Sequence, residues 1–367
     1  MNAMRQLQDL GQSIWIDNIT RALLTSGTLL RYIGDLSVTG LTSNPTIFEK
    51  AVSGADSYDV SIRQKSATGM AAEALFYELA LEDLTQAADL FRSVHDATGG
   101  VDGWVSLEVS PLLAADTAGS VAAAVRLHAR AARPNLFVKI PGTREGVPAI
   151  EESVFRGVPI NVTLLFSPEQ YLAAADAYMR GVERRQAAGR DLRVASVASL
   201  FVSRWDVAGN PHLPVILHNR LGMAVASQVY RAYRHVLGSP RWRRLVDAGA
   251  QPQRLLWAST ATKDPAASDT LYVSGLAAPD TINTMPDETL RAFADHGRVS
   301  SMVVDEGGDA DAILAEVQRV GLDTGALAAR LQSDGAGAFV KSWKRLLDEI
   351  TGKANASGAR PPISAAR

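Results

Sequence analysis

Short apolar segments alternate with longer, alanine-rich amphipathic segments along most of this chain. The first kind is typical of buried β-strands and the second of α-helices that cover them. Strands are predicted over 13–18, 38–44, 104–110, 135–141, 159–166, 193–202, 254–260 and 271–277, and helices over 20–34, 70–97, 117–132, 144–156, 168–188 and 214–237. Eight strands that alternate with helices favour a closed parallel sheet, so we predict an α/β fold, a single (β/α)8 TIM barrel.

The remaining segments are expected to add helices and a tail to this barrel. Helices are predicted after the last strand over 286–295, 309–320 and 323–351, and short helices within 45–70. Residues 353–367 show no apolar periodicity, so we expect them to be disordered. The barrel domain is therefore predicted to span 1–352.

Composition narrows the classes of function. A net charge of -2, with both signs interspersed, gives no basic footprint for nucleic acid or for an anionic membrane surface. A count of 0 Cys excludes disulfides, thiolate metal sites and cysteine nucleophiles. We expect a cytoplasmic protein, because the N-terminal segment lacks an apolar leader and no apolar run reaches membrane-spanning length. Metalloprotease, P-loop, dinucleotide-binding and hydrolase-elbow motifs do not occur in the sequence. The sequence leaves the oligomeric state open between monomer and homodimer.

One charged residue, Lys139, interrupts the apolar run 135–141. Lysine is rarely buried without a partner, and removing its ammonium group from water disfavours the charged form. The resulting free amine can attack a ketone and form a Schiff base. The alternative is a structural lysine whose side chain reaches solvent or pairs with a carboxylate such as Glu108.

Strand parity predicts which side chains point into the barrel. Successive side chains of a strand point to opposite faces, so 104–110 divides into an apolar face and a polar face that includes Glu108. The polar face is expected to point inward, towards the C-terminal mouth where barrel active sites are built. By the same argument the interior would also hold Asp17, Thr42, Asn44, Lys139, Asn161, Thr163 and Ser199.

These residues lie in segments that resemble the ordered motifs of the transaldolase family across most of the chain. The segments are WIDN with Asp17, TSNPT with Asn44, LEVSP with Glu108, FVKIPGTREG with Lys139, INVTLLFS with Asn161 and Thr163, and ASLFVSR with Ser199 and Arg204. The resemblance implies a class I aldolase barrel without metal or organic cofactor. Such an enzyme interconverts sedoheptulose 7-phosphate plus glyceraldehyde 3-phosphate with erythrose 4-phosphate plus fructose 6-phosphate, in the non-oxidative pentose phosphate pathway.

The resemblance also implies roles for three catalytic residues. Lys139 would form the Schiff base with the donor ketose, and Asp17 would be the acid/base for the C4 hydroxyl. Glu108 would move protons at C2 through an ordered water. Two structural alternatives stay open: Asp17 as the N-cap of the helix that starts near Thr20, and Glu108 as the counter-ion of Lys139.

Four polar residues, Asn44, Asn161, Thr163 and Ser199, would orient the hydroxyl groups of the donor by hydrogen bonding. Each residue type also has ordinary structural uses. Asn44 could cap the helix that Pro45 begins, and Thr163 could be a plain β-branched strand residue.

Phosphate recognition would depend on Arg204, whose planar guanidinium group suits a phosphate, unless it pairs with Asp206. The family places a second phosphate-binding arginine after the seventh strand. Here that segment is ASTATK, 258–263, in which Lys263 is the nearest cation and a plain surface lysine is the alternative.

The sequence leaves two competing functions open. A fructose-6-phosphate aldolase would use the same lysine for simple cleavage, although the presence of both Asp17 and Glu108 argues against it. A non-catalytic barrel would bind sugar phosphates and keep Lys139 only as a structural ion pair.

Overall fold

The structure, a computed structural model, describes residues 3–299 and 302–358 and contains the predicted closed barrel. Eight parallel strands follow one another around it: β1 (Ser13–Asp17), β2 (Val38–Thr42), β3 (Trp104–Glu108), β4 (Leu136–Pro141), β5 (Ile160–Leu165), β6 (Ser196–Phe201), β7 (Gln253–Ala258) and β8 (Thr281–Met285). The α-helices of the described residues are α1 (Ala3–Asp9), α2 (Arg21–Thr25), α3 (Thr28–Asp35), α4 (Pro45–Ser53), α5 (Asp59–Ser66), α6 (Ala72–Ala97), α7 (Thr117–Ala131), α8 (Gly146–Phe155), α9 (Pro168–Ala187), α10 (Ser203–Gly209), α11 (Leu221–Gly238), α12 (Pro240–Asp247), α13 (Leu271–Gly275), α14 (Asp287–His296), α15 (Ala310–Arg319) and α16 (Thr324–Gly358).

The first seven predicted strands are confirmed, and the eighth is wrong. Residues 271–277 contain helix α13, and β8 lies further along the chain, at Thr281–Met285. A short buried apolar run does not distinguish a helix from a strand, and the polar sequence TINTM gives little strand signal of its own. β8 forms because it closes the barrel between β7 and β1, where each of its residues is buried.

The C-terminal boundary also differs from the prediction. Residues 353–358, expected to be disordered, continue helix α16, and residues 359–367 lie outside the described residues. None of the described helices combines the length and the apolarity that a bilayer-spanning helix needs.

Several helices begin at a polar cap followed by proline, a pattern that is visible in the sequence. The side chains of Asn44, Ser167 and Ser239 accept hydrogen bonds from the backbone N–H groups of Ile47, Gln170 and Trp242. Proline fits the next position because the first helical residue needs no N–H donor. These caps fix where α4 and α9 start after strands β2 and β5, and where α12 starts after helix α11.

The interior of the barrel has an aromatic floor below a polar layer. The rings of Trp104 and Phe137 stack with centroids 4.1 Å apart, and the Trp15 ring lies 6.2 Å from Phe137. Glu108 and Lys139 are register partners on β3 and β4, one pleat closer to the C-terminal mouth than Phe137. The floor therefore closes the barrel beneath the polar residues and leaves them open only towards the mouth.

Gly40 on β2 is required by this floor. It is the register partner of Trp15, and a β-carbon added at residue 40 would overlap the Trp15 indole. Gly40→Ala should therefore lower the free energy of unfolding by about 1–3 kcal/mol, the usual cost of overpacking a core. Denaturant unfolding measures the effect. Gly34→Ala is the control, because a β-carbon there meets nothing within 4 Å; equal stability of the two variants would contradict the assignment.

Candidate active site

A cavity of about 870 Å³ opens at the C-terminal mouth of the barrel. Its wall is formed by strand ends and by the loops and helices that follow them. Eight of the residues singled out from the sequence line it: Asp17, Thr42, Asn44, Lys139, Thr163, Ser199, Arg204 and Lys263. Glu108 and Asn161 do not line it; they are buried beside Lys139 on the neighbouring strands.

Lys139 is held at the bottom of this cavity by two oxygen atoms. Its Nζ lies 3.5 Å from Glu108 Oε2 and donates a hydrogen bond of 3.0 Å to the carbonyl oxygen of Ser43. Both side chains of the ion pair are only 6% exposed. Burial raises the pKa of Glu108, and the charge of Lys139 opposes that rise. Glu108 is thus the counter-ion of Lys139, which was the structural alternative left open by the sequence. The same contact places the Glu108 carboxyl within reach of the Lys139 amino group for proton exchange.

Asp17 forms the opposite wall, at the end of β1. Its Oδ1 accepts a hydrogen bond of 2.6 Å from the Thr42 hydroxyl, which lies 2.7 Å from the hydroxyl of Thr284. Desolvation raises the pKa of Asp17, opposed by Lys139 and by the Thr42 bond. Asp17 is not a helix cap, because Thr20 caps α2 by accepting from the Leu23 N–H.

A short hydrogen-bonded row continues the polar layer around the barrel. Ser199 Oγ donates to Asn161 Oδ1 at 2.7 Å, and Asn161 Nδ2 donates to Ser106 Oγ at 3.0 Å. This row fixes the amide of Asn161 below the cavity and leaves Ser199 at its surface. Thr163 Oγ1 is buried, and no hydrogen-bond partner exists for it among the described residues. Its hydroxyl is therefore available to a group that enters the cavity.

Arg204 is the second residue of helix α10 and is half-buried in the cavity wall. Its guanidinium carbon lies 4.9 Å from the centre of the Phe201 ring and 6.0 Å from that of Phe339. Within residues 3–299 and 302–358, no carboxylate or carbonyl pairs with it; Asp206 instead accepts from the Tyr272 hydroxyl. Burial lowers the pKa of Arg204, and the charges of Asp17 and Glu108 oppose that shift.

The two remaining candidates, Asn44 and Lys263, differ in their hydrogen bonding and in their exposure. Asn44 lines the cavity while its Oδ1 caps α4 by accepting from the Ile47 N–H at 3.0 Å, so the capping alternative is real. Lys263 is exposed at the rim, in the loop after β7.

The lining residues that were not found from the sequence include Lys50, Ser259, Thr284 and Phe339. Ser259 could have been suspected from its position in the loop next to Lys263. Thr284 was missed because β8 was misplaced, and nothing local to Phe339 indicates that its helix reaches the mouth. Lys50 stands on α4, where a lysine is an ordinary surface residue.

The geometry defines a (β/α)8-barrel protein with a buried lysine–carboxylate pair at its mouth. Residues 14–350 match the family model described as transaldolase/fructose-6-phosphate aldolase. A transaldolase of Thermobifida fusca is 46% identical over 95% of this chain and 97% of its own. One from Parafrankia is 44% identical over 95% of this chain and 96% of its own. The chain therefore belongs to the transaldolase/fructose-6-phosphate aldolase family of enzymes.

The raised pKa of Asp17 predicts a stability gain when its charge is removed. Folding favours the protonated carboxyl, so wild-type stability falls as the pH rises from the ordinary value of 3.8 through the folded-state pKa. Asp17→Asn, which keeps an oxygen for Thr42, should raise the free energy of unfolding at pH 7, by about 0.5–2 kcal/mol. The difference in free energy of unfolding between Asp17→Asn and the wild type should disappear near pH 3.8. Denaturant unfolding at several pH values measures the difference.

Asp311 provides a control, because its pKa is shifted in the opposite direction to that of Asp17. The Arg231 guanidinium, with Gln228, lowers the pKa of this exposed carboxyl to about 2. Asp311→Asn should therefore give no stability gain at pH 7. A gain in both variants, or in neither, would contradict the assignment to Asp17.

Proposed function

We propose that this protein is a transaldolase that works through a Schiff base on Lys139. It would take a dihydroxyacetone unit from sedoheptulose 7-phosphate or fructose 6-phosphate. It would deliver that unit to glyceraldehyde 3-phosphate or erythrose 4-phosphate, as a step of the non-oxidative pentose phosphate pathway. The observation that carries the proposal is the buried Lys139–Glu108 pair at the bottom of a cavity that also holds Asp17 and Arg204. The names of the relatives support the same activity.

The first step is the attack of the Lys139 amine on the C2 carbonyl of the donor. The 3.5 Å contact lets Glu108 take the ammonium proton, and burial of this carboxyl favours its protonated form. The attacking nitrogen then passes one proton to the C2 oxygen and Glu108 returns a second, directly or through a water, so that the oxygen leaves as water and an iminium ion remains. The unpartnered hydroxyl of Thr163 is positioned to hold such a water or a donor hydroxyl.

The second step is the cleavage of the C3–C4 bond. Asp17 removes the proton of the C4 hydroxyl, the bonding electrons move into the iminium, and an aldose phosphate leaves. The enamine on Lys139 then attacks the aldehyde of the acceptor, and Asp17 returns the proton to the new C4 oxygen. A raised pKa suits Asp17 to both directions of this transfer.

Substrate orientation would come from the polar wall and the cationic rim. Asn44 and Ser199 face the cavity and are assigned to donor hydroxyls, with Asn161 fixing Ser199 from below. Arg204 would bind the phosphate with its free guanidinium donors, and Lys263 would add a second positive charge in place of the family arginine. A cytoplasmic location and a monomeric or dimeric state stay predictions from the sequence.

Covalent trapping tests the role of Lys139. Borohydride with fructose 6-phosphate should leave a reduced adduct that peptide mapping places on Lys139, and Lys139→Met should lose both adduct and turnover while staying folded. Lys50→Met, which changes another lysine of the cavity, should still form the adduct. Asp17→Asn should form it too, but turn over more slowly by about 10²–10⁴, the range for general acid/base catalysis. A wild-type protein that gains no mass would instead be a non-catalytic barrel.

The family description also names fructose-6-phosphate aldolase, so transfer must be separated from cleavage. With fructose 6-phosphate alone, a transaldolase keeps the dihydroxyacetone unit on the lysine. It therefore does not release free dihydroxyacetone continuously. Adding erythrose 4-phosphate should start continuous formation of sedoheptulose 7-phosphate. Free dihydroxyacetone produced continuously without an acceptor would show that the aldolase is the correct assignment.

A further inference from the structure

The C-terminal helix α16 contributes one continuous face to the mouth of the barrel. Gln332, Gly335 and Phe339 lie along this face, since residues three, four and seven apart share one side of a helix. Phe339 lines the cavity, Gly335 is buried, and Gln332 reaches the ends of β4 and β5. The helix is therefore part of the cavity wall as well as of the outer layer.

Gln332 fastens the helix to the strand that carries Thr163. Its Nε2 donates to the carbonyl oxygens of Gly142 at 3.0 Å and Leu164 at 2.9 Å. Leu164 has φ of 59°, a left-handed conformation that is unfavourable for a leucine and coincides with the irregular register between β5 and β6. These two bonds fix the distance between α16 and the strand ends.

At this fixed distance, Gly335 lies directly against Arg204. A β-carbon at residue 335 would be 2.9 Å from Arg204 Nη1 and 2.9 Å from Leu164 Cδ2, closer than ordinary van der Waals contact. Both atoms are the ends of flexible side chains, so the guanidinium group would move while the helix stays in place. Phe201 and Phe339 flank the same guanidinium group and restrict its other directions of movement.

We propose that α16 positions the phosphate-binding group of this enzyme: Gly335, together with Phe339, sets the place where Arg204 meets the phosphate ester of the sugar. Arg204 is suited to this role because no described residue accepts a hydrogen bond from its guanidinium N–H groups. The rings of Phe201 and Phe339 and the backbone at Gly335 lie around the guanidinium group and restrict its position. Gly335 is a positioning residue, since it acts through Arg204. The inference deepens the proposed function and depends on it for the identity of the ligand, a sugar phosphate.

The test compares two glycines of the same helix. Gly335→Ala adds a methyl group beside Arg204, whereas a β-carbon at Gly337, which is exposed, meets nothing within 4 Å. We expect Gly335→Ala to raise KM for fructose 6-phosphate about tenfold or more, with kcat nearly unchanged, because the phosphate contact is uniform binding that remains through the reaction. Activity with unphosphorylated fructose should not change, and Gly337→Ala should match the wild type with both donors.

Phe339→Leu provides a second variant in case Gly335→Ala does not fold. It removes one ring beside Arg204 without adding volume, and it should again raise KM for fructose 6-phosphate more than it affects fructose. The proposal is overturned if both folded variants behave like Gly337→Ala, or if activity with fructose falls in the same proportion as activity with fructose 6-phosphate.

Direct binding separates this inference from the proposed function. In a Lys139→Met background, calorimetry with fructose 6-phosphate measures phosphate capture without turnover, and Gly335→Ala should weaken it while Gly337→Ala should not. If the wild type transfers no dihydroxyacetone but this difference in binding remains, only the proposed function fails. If the wild type is active and the difference is missing, only the role of Gly335 fails.

Discussion

The burial of Lys139 beside Glu108 is the constraint on which the rest of the site depends. Removing two opposite charges from water costs several kcal/mol for each ion, and only close pairing and further hydrogen bonds offset that cost. Strands β3 and β4 supply the pairing because their register sets the two residues side by side, and the Ser43 carbonyl from the β2 end accepts from the ammonium. The aromatic floor seals the barrel below, so that the pair meets the outside only through the cavity.

The same enclosure gives the two carboxylates related but different properties. Burial raises the pKa of both Asp17 and Glu108, and Lys139 opposes the rise in each. Glu108 contacts the lysine directly, whereas Asp17 is held by Thr42 on the neighbouring strand and faces the cavity. In the proposed mechanism, Glu108 exchanges protons with the amine and Asp17 exchanges them with the bound substrate. Burial of these two carboxyls lowers the stability of the fold, and they lie where the proposed chemistry needs proton donors and acceptors.

The phosphate end of the proposed site is built differently, from a cation that the fold leaves unpaired. Arg204 lies in the first turn of α10, after β6, and its guanidinium group is flanked by Phe201 from the end of β6 and by Gly335 and Phe339 from α16. The resemblance to the family implies a second arginine after β7, where this chain has the segment 258–263 that ends in Lys263. A lysine is a flexible point charge and lacks the planar fork of arginine, so orientation of the phosphate would rest mainly on Arg204 and its surroundings.

Local sequence patterns determined the barrel, seven of its strands, and the inward direction of Asp17, Glu108 and Lys139, because strand parity and apolar periodicity are properties of neighbouring residues. The tertiary structure decided what depends on distant ones. It placed β8 in a polar segment that pairs with both of its neighbours, assigned the oxygen of Asn44 to a helix cap, and joined Lys139 to Glu108 and Ser43. It also brought Gly335 and Phe339 against Arg204, a contact between remote parts of the chain that arises only when the last helix packs across the closed barrel.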